Sequence, residues 1–206
     1  MKWIKKCPEP PALADWKAQV SDDWQPTYAT LGGTVKQAVV QALLSEQGAI
    51  CCYCERSLAV GDLHIEHFRP QHDPQVDPLD FSNMLCSCQN QLTRGEPRHC
   101  GNLKGDWFEA ELLVSPLDPT CETRFAFTAN GQIRPTNEMD QAAMTTIDKL
   151  GLNIRKLQDL RASAIAPFLE EDLSAEEVEA FVAGYLAPAE SGSFSPFWTT
   201  IQYLFK

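Results

Sequence analysis

Between Cys51 and Lys104 the chain reads CCYCE, HIEHFRP, DFSNMLCSCQNQ and HCGNLKG, and Cys51, Cys52, Cys54, Cys86, Cys88 and Cys100 all fall there. From Ile50 to about Asp106 the text is short, polar and turn-rich, with too few apolar side chains to build a core unaided. A bound metal therefore has to supply much of the folding energy of this stretch. Cys51 and Cys54 have the CxxC spacing of a zinc knuckle, in which two thiolates occupy half of a tetrahedral site. The other half must come from Cys86, Cys88 and Cys100; we take Cys88 and Cys100, with the residues between them looping out. Cys52, inside the knuckle, should point away from the metal, and Cys7 and Cys121 read as incidental or buried thiols. The plainer alternative is a set of free thiols packed in a core. Disulfides fit less well, because the opening MKWIKKCPEPPALADW has lysines but no apolar h-region of a secretory signal, which points to the reducing cytoplasm.

The 206 residues leave room for one substantial domain or two small ones. Hydrophobic residues make up 44% and charged residues 22%, the proportions of a folded globular chain and against wholesale disorder. A membrane span is not expected, since there is no apolar run of about 18 residues. The formal net charge of −11 is awkward for any protein that grips nucleic acid, because duplex binding draws much of its affinity from lysine and arginine contacts to phosphates. A chain this acidic needs local positive charge, or a partner that holds the substrate.

Three segments follow from the pattern: an arm and helix over 1–48, a metal-stapled core with a following hairpin over 49–135, and a helical region over 136–206. Pro8, Pro10, Pro11 and Pro26 suit an arm or a short helix draped over the body. Thr34 and Gln37 match a capping box, and Val35, Ala38, Val39, Ala42 and Leu43 form an apolar stripe that should stop near Gly48. Glu111 to Val114 and Arg124 to Phe127 read as strands, the second closed by an Asn130-Gly131 turn before Gln132-Ile133. Gln141 to Leu150 reads as a helix stopped by Gly151. Asn153 is placed to cap the next, with Leu157, Leu160, Ala164, Ile165 and Phe168 at helical spacing. Ser174 with Glu177 opens another, carrying Val178, Phe181, Val182 and Tyr185, and the aromatic tail from Ser193 is a final helix or an edge.

Within the cysteine region, Glu66-His67 pairs two chemistries. Cleaving a phosphodiester needs an activated water, a cation to neutralise developing charge, and a geometry that aligns them. A histidine can act as base near neutral pH, and a carboxylate beside it can hold a hard divalent ion. The dipeptide alone means nothing; flanked by CxxC and followed by Asn83 and further cysteines, it becomes a signal. His64 lies two positions before Glu66, so a strand would put both on one face and let it support the carboxylate. An ordinary strand or loop histidine is the preferred reading for it and for His72.

This stretch resembles the HNH (ββα-metal) endonuclease motif, and the chain more narrowly resembles the HNH nuclease subunit of Septu-type anti-phage systems, also found with some retrons. The likeness is carried by MKWIKK with its following prolines, CCYCE, IEHFRP, DFSNM–SCQ, HCGNLKG, VSPLDPTCETRFAF–NGQI and TTIDKLGLNIRKLQDLR, so it covers nearly the whole length. It implies an α+β fold with a zinc-stapled ββα core, a β-hairpin and surrounding helices. It implies His67 as the general base, Glu66 as a metal ligand where such enzymes usually have aspartate, and Asn83 as the residue orienting the base. The spacing from Asn83 to Cys88 supports Cys88 over Cys86 as a zinc ligand. The last letter of the motif falls on Asn102, taken as the second ligand of a catalytic Mg2+ or Mn2+, with His99 and Asn90 as competitors. Lys104 matches a lysine that could touch a phosphate, though a solvated lysine would look the same. The structural Zn2+ would sit in Cys51, Cys54, Cys88 and Cys100.

The resemblance implies a nuclease effector acting on nucleic acid, with DNA expected, beside an ABC/SMC-like ATPase that restrains or positions it. The acidic balance fits that division, because the ATPase could supply the basic surface. The competing expectation is a zinc-stapled adaptor that keeps the frame without catalysis, favoured by glutamate in the aspartate position and by the net charge. A zinc-ribbon transcription factor is disfavoured: between Cys51 and His67 only Arg56 stands against Glu55, Asp62 and Glu66.

Overall fold

Pro11–Lys17 forms α1, with proline in the first turn where its missing N–H costs nothing. Leu13 on this helix is buried beside Val39 and Leu43 of α2, Gly33–Gln47. The expected Thr34–Gln37 box does not form. The helix begins at Gly33 with Gly32 as its cap and no side-chain cap bond, so Thr34 already lies inside the first turn. A reciprocal box forms earlier, between Thr27 and Thr30 around a short 3₁₀ turn. Gly48 ends α2 at φ 60°, where its N–H returns to Leu44 and Ser45 carbonyls. Coordinates from a computed structural model describe residues 1–59, 61–170 and 173–206.

Leu63–His67 (β1) and Met84–Cys88 (β2) pair antiparallel, with Glu66 opposite Leu85 and His67 opposite Met84. Gln47 staples α2 to this pair: its amide donates to the Ile50 and Cys86 carbonyls and accepts the Cys86 N–H. Gly101–Lys104 is the single-turn helix α3.

The hairpin read around Asn130-Gly131 is present as β3, Phe125–Phe127, and β4, Ile133–Pro135. Gly131 sits at φ 79°, and a Cβ there would lie 2.0 Å from the Gln158 carbonyl, so the turn needs glycine on both counts. The strand expected over Glu111–Val114 is absent. The Leu112 and Leu113 N–H groups turn back to the Glu109 carbonyl, the Val114 N–H goes to Thr146 Oγ1 at 2.8 Å, and Leu113 and Val114 drop into the core.

α4 spans Gln141–Lys149 with Asp140 as its side-chain cap, and Gly151 at φ 58° follows its end. α5 spans Arg155–Ile165, and here Asn153 does not cap: Ile154 holds that position, while Asn153 Oδ1 accepts the Ile133 N–H at 3.2 Å and ties the helix entry to the hairpin. α6, Ala175–Leu186, carries the expected Ser174–Glu177 box, and the aromatic tail is helix α7, Trp198–Phe205.

The architecture is thus α+β: helices around two small two-stranded sheets. One apolar cluster gathers Met1, Ile4, the knuckle, Leu113, Phe125, Phe127, Leu150 and Leu157; a second joins α1, α2 and β1–β2; a third packs α5, α6 and α7. Glu55, just after the knuckle, accepts the Thr199 N–H at 2.8 Å and so fastens α7 to it. No helix among the described residues is long and apolar enough to cross a membrane.

Candidate metal centre and catalytic cleft

Four thiols meet at the centre of the cysteine region. The sulfurs of Cys51, Cys54, Cys88 and Cys100 all lie within 4.8 Å of one another, and all four residues are buried. Cys54 and Cys88 sulfurs are 3.8 Å apart, and zinc–thiolate bonds of about 2.3 Å set a tetrahedral S···S edge of about 3.8 Å. Burial pushes the Cys51 thiol up, but hydrogen bonds from the neighbouring thiols outweigh it and hold Cys51 well below the ordinary range, while burial and those same neighbours push Cys100 well above. Four thiols so crowded can ionise only at one another's expense, and a divalent cation among them removes that conflict. The donor set fits structural zinc.

Cys86 is excluded by its direction. It packs into the second apolar cluster with Val39 and Leu43, and burial pushes its thiol up to about 12. Cys52 is buried and lies outside the four-sulfur group. Cys7 is exposed and Cys121 is buried in the first cluster. His99 also belongs to the sulfur cage, since its Nδ1 lies 3.1 Å from Cys100 Sγ and 3.7 Å from Cys88 Sγ. It is therefore not among the residues of the adjoining cleft.

That cleft, of ≈ 540 Å³, is lined by both ends of the expected chemistry: Glu66 and His67 from β1, Asn102 from α3, with His64, Gln71 and Asn90 around them. Its floor depends on Gly101. A Cβ there would fall 2.2 Å from Glu66 Oε2 and 2.8 Å from His64 Nε2, so only glycine lets α3 approach the strand this closely.

Glu66 is buried and its two oxygens are used differently. Oε1 takes Lys104 Nζ at 2.8 Å and the Tyr53 hydroxyl at 3.0 Å, whereas Oε2 faces His64 Nε2 at 3.5 Å. Burial pushes this carboxyl up, but the His64 and Lys104 contacts outweigh it and hold it below the usual glutamate range. It is an anion whose Oε1 is fixed by two donors and whose Oε2 has only the longer His64 contact.

His67 is held from two sides. Its Nε2 lies 2.9 Å from the Pro78 carbonyl, which can only accept, so Nε2 carries the proton. In the neutral ring Nδ1 then carries the lone pair, which accepts a hydrogen bond from the Gln71 amide at 3.1 Å. Burial keeps this imidazole below its usual range, against the opposing pull of the Pro78 carbonyl and Glu66, so the ring is neutral and basic at neutral pH. Tyr28 packs edge-on against it, ring centroids 4.6 Å apart.

Asn83 clamps the chain just beyond His67: its Oδ1 accepts the Arg69 N–H at 2.8 Å and its Nδ2 donates to the Arg69 carbonyl at 2.9 Å. Asn102, which lines the cleft, donates its amide to the Gln89 carbonyl. Asn90 stands at the rim, its amide 3.3 Å from the Gly61 carbonyl.

Lys104 is placed differently from the sequence expectation. It is 4% exposed and its ammonium is spent on Glu66 Oε1, the His67 carbonyl at 3.1 Å and the Gly105 carbonyl at 3.3 Å. From there it supports Glu66 and does not reach out to a phosphate. Sequence reasoning also undervalued His64, whose i, i+2 relation to Glu66 was the available signal, and missed Tyr53 and Gln71, for which spacing gives none.

No family model matches the chain. A curated relative does: over 131 residues the chain is 31% identical to "Retron Vc95 putative HNH endonuclease" of Vibrio cholerae serotype O1 biovar El Tor, an alignment covering 60% of this chain and 62% of that protein. The chain thus matches less than two thirds of the relative's length, and what it is similar to, across the part that aligns, is a protein named for HNH endonuclease chemistry.

Proposed function

We propose that this chain is a metal-dependent HNH endonuclease that hydrolyses phosphodiester bonds in DNA, on a zinc-stapled ββα frame made by β1, β2 and α3. The observation that carries the reading is the pairing, in one cleft, of a neutral His67 whose Nδ1 lone pair is met by the exposed Gln71 amide and a Glu66 carboxylate whose Oε1 is held by Lys104 and Tyr53 while Oε2 is not. The similarity to the retron Vc95 protein supports the same chemistry.

In this mechanism water displaces the exposed Gln71 amide from His67 Nδ1, which takes a proton from that water as its oxygen attacks phosphorus; the P–O bond to the leaving sugar oxygen breaks, and that oxygen takes a proton from solvent. The Pro78 carbonyl stabilises the imidazolium that results, and the Asn83 clamp on Arg69 holds the loop after β1 in place. Glu66 and Asn102 would hold a divalent ion, which supplies charge neutralisation at the phosphate. Lys104 and Tyr53 fix the orientation of Glu66. Among the described residues lining the cleft there is no lysine or arginine. That favours a partner which brings the nucleic acid, and we take it to be an ABC/SMC-like ATPase in a cytoplasmic anti-phage complex.

Plasmid nicking by the purified chain and by its complex with a co-expressed ATPase tests this. Cleavage that needs Mg2+ or Mn2+ and stops with EDTA supports the enzyme. A second reading, a non-catalytic adaptor, draws on the Lys104–Glu66 ion pair, which already neutralises the carboxylate. It predicts a stable complex and no cleavage under any divalent ion.

A further inference from the structure

Resting on the nuclease reading, we propose that His64 is a direct ligand of the catalytic ion, through Nε2 and beside Glu66 Oε2, and that the ion is a first-row transition metal rather than magnesium. His64 Nε2 and Glu66 Oε2 stand 3.5 Å apart, and both residues line the cleft. Bonds of about 2.1 Å to imidazole nitrogen and carboxylate oxygen separate two donors by about 3.4 Å at a tetrahedral angle and by about 3.0 Å at an octahedral right angle. The observed separation matches the open four-coordinate edge.

The alternative partners of both groups are accounted for. Glu66 Oε1 is saturated by Lys104 and Tyr53, so Oε2 is the oxygen left for a cation. Among the described residues the His64 ring finds little else: Nδ1 is buried without a hydrogen-bond partner there, and the Glu66 contact is long for a hydrogen bond. A ring so poorly satisfied by its surroundings needs a reason to be there. An imidazole–carboxylate pair suits manganese, iron, nickel or zinc, whereas magnesium takes oxygen donors in near-ideal octahedra. Asn102 on α3 lines the same cleft, and its amide oxygen is the further donor in this reading.

The test is Mn2+ binding to the zinc-loaded chain, followed by electron paramagnetic resonance, with pulsed detection of ¹⁴N coupling. The proposal predicts one bound Mn2+ that persists in excess Mg2+ and shows imidazole nitrogen coupling. In His64→Ala and His64→Asn the coupling disappears and affinity falls at least about tenfold, while in His67→Ala both persist. The wild-type spectrum stands without any variant, so a folding failure does not remove the test. Mn2+ bound through Glu66 with no nitrogen coupling, or coupling lost only in His67→Ala, overturns the role of His64 and leaves the nuclease reading intact. No Mn2+ bound in the wild type, with Glu66→Gln making no difference, overturns both.

Discussion

Lys104 illustrates what a single residue does here. Its ammonium has three protons and three oxygen partners, on Glu66, His67 and Gly105, all in a nearly dry site. Taking the lysine away strands a buried carboxylate, so Lys104→Ala should cost about 3–5 kcal/mol in urea unfolding of the zinc-loaded chain. Pairing Lys104→Met with Glu66→Gln should recover much of that loss, because the uncompensated charge is removed with its partner. A single variant that unfolds at the wild-type midpoint would mean the pair adds nothing to stability. The sequence could offer a basic residue three positions after Asn102's predecessor but not its direction; that Lys104 turns inward follows from β1 presenting Glu66 and a free carbonyl on that side. Cys51 and Cys54 were legible from their knuckle spacing, whereas Cys88, Cys100, His67 and Asn83 were singled out with the help of the resemblance; the structure gathers the four sulfurs and sets His67 in the cleft. Tyr53 and Gln71 were not legible, since their roles arise only when the knuckle and the loop after β1 fold against the strand.

At the scale of elements, periodicity marked the helices and missed the sheet that carries the site. β1 alternates apolar and polar over only four residues, Leu63 to Glu66, and β2 is buried along its entire length, so neither carries a long enough alternation to be recognised as a half-buried strand. The caps were read with mixed success for a physical reason: Ser174–Glu177 is a local device, whereas Asn153 was recruited by the hairpin and Thr34 was overtaken by a flexible glycine pair. Asp140, which the pattern left unmarked, caps α4 through the Ala143 N–H at 2.9 Å and also pairs with Arg124. Asp140→Ala should therefore cost about 0.5–2 kcal/mol of stability, against a few tenths for a neighbouring exposed substitution, as measured by denaturant midpoint. The Arg124 contact, and secondarily the α4 N–H groups, hold its carboxyl below the usual aspartate range. A depressed pKa means the contribution is present above the unfolded-state value and fades as pH falls through the folded one. The penalty of Asp140→Ala should accordingly shrink in acid, and a penalty that stays constant down to strongly acid pH would contradict the assignment.

Over the whole molecule, the four-thiol cage is the joint between regions distant in sequence: the knuckle gives two thiols, β2 gives Cys88 and the residue before α3 gives Cys100, and the first apolar cluster closes around them with Met1, Phe125 and Leu157. Metal loss should thus be felt globally. Cys54→Ser and Cys88→Ser should purify with less than one zinc per chain and melt earlier and less cooperatively than the wild type; full stability without metal would show the thiols to be ordinary core residues. The central claim is narrower, that His67 is the base of a metal-dependent phosphodiester hydrolysis. It is tested most directly by plasmid cleavage with His67→Ala, scored beside zinc content and melting temperature. The account predicts one zinc per chain, a folded protein and cleavage reduced at least about a hundredfold. Cleavage by His67→Ala at the wild-type rate, with fold and zinc intact, would contradict it.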